Sequence, residues 1–112
     1  MFEEWRDAVD YQTLFLVNRH VTVDTSHLLP ASGVRRDELP LWVKSFGLRI
    51  DPQMPGRQRA WVRRSDGAWV AVVEVDATSG NGHSRMTATL WLPPAAVRLA
   101  DSSQRQHQRS DP

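Results

Sequence analysis

Apolar and polar positions follow two rhythms along this chain, helical in the first half and alternating in the second. Phe2, Trp5, Val9, Thr13 and Leu16 share one helical stripe, with Glu3, Glu4 and Asp7 in the first turns, where carboxylates suit the positive helix end. The spacing predicts a helix over about 3–16, which blurs where Leu14, Phe15, Leu16 and Val17 are apolar on every side. His20 to Asp24 then alternates through Val21, Thr22 and Val23 as a short strand, and 25–33 reads as a loop. A second helix is marked by Asp37 as cap, Pro40 in the first turn, and Leu39, Trp42, Val43 and Phe46 on one stripe. Gly47 supplies a left-handed stop, Leu48 to Ile50 is a short extended piece, and the Pro- and Gly-bearing stretch 51–58 reads as the clearest internal boundary.

The second half reads as strands. Residues 59–64 and 69–77 flank Ser65-Asp66-Gly67-Ala68, a hairpin signal of the type I′ kind with positive φ at Asp66 and Gly67. A long, mobile connection over 78–84 leads to a strand over 85–92, which Pro93-Pro94 stops; Val97 to Leu99 is a last short strand or helical turn. Alternation places Trp69, Ala71, Val73 and Val75 on one face with Met86, Ala88, Leu90 and Leu92. The opposite, mixed face carries Val70, Val72, Glu74, Asp76, Arg85, Thr87, Thr89 and Trp91.

The fold expected is α+β: two N-terminal helices packed on a C-terminal antiparallel meander of three to four strands. One domain spans 1–100, with a helical part over 1–50 and a β part over 57–100, and the polar stretch 101–112 reads as a disordered tail. The stretch 59–99, with its Asp-Gly hairpin and Pro-Pro-Ala-Ala-Val-Arg ending, resembles the small SH3-like barrels in architecture. That resemblance implies a one-turn helix before a final short strand.

Composition narrows the chemistry. With no cysteine, disulfides, thiolate zinc sites and a cysteine nucleophile are excluded. The longest apolar runs are too short to span a bilayer, and residues 1–20 carry acids where a secretory signal needs a basic start, so a soluble cytoplasmic protein is expected. A net charge of +1 argues against coating nucleic acid by charge alone. Lys44 is the only Lys among fourteen cations, a bias that the codons of a GC-rich genome explain more simply than phosphate binding does.

Two constellations stand out. Arg57, Arg59, Arg63 and Arg64 surround Trp61 with no acid between them, and on a regular strand Arg59, Trp61 and Arg63 point the same way. Such a surface suits a partner protein or stacked bases; the plainer reading packs Trp61 in the interior and pairs the Arg side chains with Glu74 or Asp76. Trp5, Trp42 and Trp69 read as core, whereas Trp61 and Trp91 fall together on the mixed face. His20, Asp24 and His27, with Ser26 beside them, lack the further ligands a metal site needs. The leading expectation is a non-enzymatic binding module acting through Arg57, Arg59, Trp61, Arg63, Arg64, Arg85 and Trp91. A protein partner or self-association is favoured, with no cofactor, metal or membrane. The alternatives are a nucleic-acid-binding accessory protein and a small enzyme with a pocket at His20, Asp24 and His27.

Overall fold

The computed structural model describes residues 1–30, 33 and 36–100. Five antiparallel strands, β1 (Leu14–Asp24), β2 (Gln53–Arg63), β3 (Trp69–Thr78), β4 (Arg85–Leu92) and β5 (Val97–Leu99), form one sheet in the order β4-β3-β2-β1-β5. The six-residue α1 (Leu41–Phe46) is the one α-helix among the described residues, beside 3-10 turns at Thr25–His27, Arg36–Glu38 and Pro94–Ala96. The expected pair of N-terminal helices on a meander is therefore overturned.

The first helix fails because only one end of its stripe, Phe2 and Trp5, comes against the sheet, while Val9 and Leu16 stay in water. Val9 is fully exposed, and residues 1–13 fold back on themselves: Asp7 accepts hydrogen bonds from the Thr13 N–H and hydroxyl and from the Trp5 indole. The all-round apolar run from Leu14 and the β-branched run at Val21 to Val23 belong instead to β1, which extends past the short strand expected at 20–24 and is flanked by β2 and β5. The second helical stripe exists but points outward, with Trp42 68% and Phe46 67% exposed. Gly47 ends α1 at φ −72°, not in the left-handed region; a Cβ there would lie 2.5 Å from the Val43 carbonyl oxygen, so close approach demands the glycine.

The expected boundary at 51–58 lies mostly inside β2. Pro55 pairs with Thr22 and sits beyond the β2–β3 ladder, which starts at Gly56; a strand tolerates a residue without an N–H where it has one neighbour. The hairpin between β2 and β3 forms, but with Gly67 alone at positive φ (+93°). Asp66 keeps a negative φ and accepts the Ala68 N–H, so the turn is not type I′. The connection after β3 is braced, not free. Gly80 and Asn81 donate their N–H groups to the carbonyls of Gly47 and Ser45, satisfying acceptors at the end of α1.

The face assignment for β3 and β4 holds. Ala71 pairs with Leu92, Val73 with Leu90 and Val75 with Ala88, and Ala71, Val73, Val75 and Leu92 enter the core with Val21, Val23, Met54, Ala77 and Ala96. The one-turn helix and final strand expected at 94–99 are present as the turn Pro94–Ala96 and β5. Four strand spacings would hold β4 and β5 roughly 19 Å apart in a flat sheet, while the Leu92–Val97 connection reaches at most about 18 Å even fully extended. The sheet must curl, and Ala96 seals the curl from inside at 1% exposure.

Candidate functional site

Arg59 is a bulge, and it decides which side chains share a face. Gln58 pairs with Val73 and Ala60 with Val72, so Arg59 has no partner on β3; on the other side β1 slips between Leu16 and Arg19. An extra residue inverts the alternation beyond it. Trp61 and Arg63 therefore point with Ala71 and Trp69 to the core side, while the Arg59 side chain forms an ion pair with Glu74, the register partner of Arg57, on the opposite side. The expectation that Arg59, Trp61 and Arg63 share a direction is corrected, and so is the pairing of Trp61 with Trp91. Trp91 sits opposite Val72, on the other face.

On the core side, past the closely packed residues, Phe15, Trp61, Trp69 and Pro94 line an open cleft of about 380 Å³. Phe15 and Trp69 meet at 5.6 Å between ring centroids, tilted by 54°. Register explains the convergence: Phe15 lies opposite Trp61 on β1 and β2, Arg63 lies opposite Trp69, and the turn after β4 brings in Pro94. Arg19 lies 5.6 Å from the Trp61 ring and Arg63 5.4 Å from the Trp69 ring. Arg19 is aimed by buried Gln58, whose Oε1 accepts its Nε–H at 2.8 Å while Nε2 donates to the Ala60 carbonyl at 3.0 Å.

The remaining expected residues lie elsewhere. Arg57 and Arg59 line a polar cleft of about 370 Å³ with His20, Glu74, Asp76 and Thr87. Arg59 is ion-paired to Glu74, and Arg57 donates to Asn18 at 2.8 Å. Arg64 pairs with Asp66 in the hairpin turn, and Arg85 is exposed at the start of β4. Trp91, 78% exposed, borders a pocket of about 420 Å³ with Val62, Val70, Val72 and the N-terminal Phe2 and Trp5. The single Arg/Trp surface expected from the sequence is thus split between two faces and a turn.

His20 belongs to the polar cleft, while Asp24 and His27 lie at the far end of β1, 3.7 Å apart. The Ser26 hydroxyl and N–H both donate to Asp24, and these bonds hold its carboxyl below the ordinary range. A serine hydroxyl committed to the carboxylate is not offered to the imidazole as a nucleophile's would be. Among the described residues no group of three His, Asp or Glu side chains is placed to hold a metal ion. No helix among them is long and apolar enough to cross a membrane.

Sequence reasoning passed over Phe15, Arg19, Trp69 and Pro94 as cleft residues. The usable signal was the odd-numbered series Phe15, Arg19, Val21 and Val23, which a strand reading from Leu14 would have placed on one face. No family model matches the chain, and neither a curated protein nor a solved structure matches it.

Proposed function

We propose that this protein is a non-enzymatic, cytoplasmic binding module that holds an extended segment of a partner protein in the cleft of Phe15, Trp61, Trp69 and Pro94. The observation that carries the reading is the combination of aromatic walls with Arg19 and Arg63 stacked on two of them. Aromatic-lined clefts accept proline and other apolar side chains of extended peptides at low entropic cost, and guanidinium groups add attraction for a flanking carboxylate. Binding to nucleic acid is disfavoured because the expected arginines do not form one basic surface: Arg59 and Arg64 lie away from the cleft and are ion-paired to Glu74 and Asp66.

Titration with a library of extended Pro- and acid-bearing peptides, followed by Trp fluorescence, tests the reading. Trp61→Ala is expected to weaken binding at least about tenfold, as for a central aromatic anchor, and Arg59→Ala to leave it unchanged. Preference for a single-stranded oligonucleotide, with affinity falling steeply in salt, overturns it.

A further inference from the structure

The two edges of the sheet are treated differently. β5 is three residues long and carries Arg98, whereas β4 presents eight residues, holds neither Lys nor Pro, and runs against β3 in unbroken register. Charged side chains, prolines and bulges are what keep a free edge from pairing. β4 lacks them beyond its first residue, Arg85, and it exposes Met86 and Trp91 at 52% and 78%. We propose that β4 is the self-association surface of this protein, pairing antiparallel with β4 of a second copy about a two-fold axis through Ala88.

The order of side chains along β4 singles out this occupant. Reversed against itself in this register, the strand sets Arg85 opposite the partner's Trp91, Met86 opposite the partner's Leu90, Thr87 opposite the partner's Thr89, and Ala88 opposite the partner's Ala88. A cation meets an aromatic face at both ends, and apolar and hydroxyl pairs fill the middle, combinations that stabilise cross-strand neighbours. Each face is preserved: Met86 and Leu90 share one, and Arg85, Thr87, Thr89 and Trp91 share the other, because facing residues in an antiparallel pair point the same way. The result is a closed, isologous dimer with one continuous sheet. This surface lies apart from the aromatic cleft, so a cleft that bound no peptide would leave the inference standing.

Sedimentation equilibrium of the full chain, from about 1 to 200 µM so as to span a micromolar dissociation constant, tests it. A mass twice the 12.8 kDa of the chain is expected at the upper end. Register is read by cysteine cross-linking, since the chain has no cysteine of its own. Ala88→Cys places two thiols across the axis with Cα atoms roughly 4.5–5.5 Å apart, within disulfide range, and should oxidise to a covalent dimer. Met86→Cys should not, because it faces the partner's Leu90 and the two introduced thiols would be separated by roughly 13 Å of strand. Thr87→Lys with Thr89→Lys puts like charges opposite each other and is expected to give a folded monomer, its integrity read by circular dichroism. A wild-type monomer throughout, equal cross-linking of both cysteine variants, or a dimer that survives the double lysine change overturns the proposal.

Discussion

Replacing Gln58 by Met isolates the device that aims the aromatic cleft. Gln58 and Ala60 are both 0% exposed, and the Gln58 amide bridges the bulge by donating to the Ala60 carbonyl and accepting from Arg19. Met keeps the length and most of the volume, so the change deletes hydrogen bonds without opening a cavity. Losing a bond from a charged donor costs about 1.5–3 kcal/mol, and losing the neutral bond to Ala60 about 1 kcal/mol more. Burying a thioether in place of an amide returns roughly 1 kcal/mol. A net loss of about 2 kcal/mol remains, equivalent to a melting temperature lowered by roughly 10 °C in a domain of this size. Urea unfolding followed by Trp emission measures it, with an unchanged m-value marking a pure stability effect. The native emission should also shift, because Arg19 loses the anchor that holds it over Trp61. A midpoint within about 0.5 kcal/mol of wild type, the range of surface changes, together with unchanged emission refutes the assignment of Gln58 as the keystone of the bulge.

Other consequences can be measured separately. Gly80→Ala would bring a Cβ to 2.1 Å from the Lys44 carbonyl oxygen, so thermal melts should show a loss of about 1–3 kcal/mol. Gly33→Ala, with nothing within 4 Å, should melt as wild type does. A double-mutant cycle on Arg59 and Glu74 should give a coupling of about 0.5–1 kcal/mol at low salt that shrinks on adding salt; zero coupling would mean the pair is idle. Hydrogen bonds from the Thr13 hydroxyl and N–H lower the Asp7 carboxyl below 3.8, so its stabilising contribution is present above that value and lost as pH falls through the folded pKa. The Thr13 amide resonance should report that titration on acidification, and Asp7→Asn should remove the inflection.

Period-two patterning made the core legible where strands are regular. Ala71, Val73, Val75 and Leu92 were assigned from alternation alone, and the turn and strand over 94–99 were expected from the resemblance to the small SH3-like barrels. The N-terminal half was misread because an amphipathic stripe is only a necessary condition for a helix. Val9 is left in water and Thr13 bonds to Asp7, while Leu14 to Val17 gain a neighbour by joining the sheet. The candidate site was lost to one residue. Nothing in Arg57-Gln58-Arg59-Ala60-Trp61 announces a bulge, because a polar Gln usually faces water; here it is buried to tie the bulge together, and every side chain after it changes sides. Trp61 was legible as notable, but its neighbours Phe15, Trp69 and Pro94 come from three other parts of the chain.

The pairing of β5 with β1 bears on how the protein is made. Val97 to Leu99 must find Val21 to Val23, so the sheet is completed by a contact between distant parts of the chain, the kind that forms slowly. During synthesis, β1 and β2 can pair as soon as Arg63 has emerged, but the outer side of β1 stays uncovered until the ribosome has delivered Leu99. At translation rates of about 5–20 residues per second, that leaves an apolar strand open to wrong partners for roughly 2–7 seconds. A chain truncated before Val97 should therefore aggregate in preference to folding into a smaller sheet.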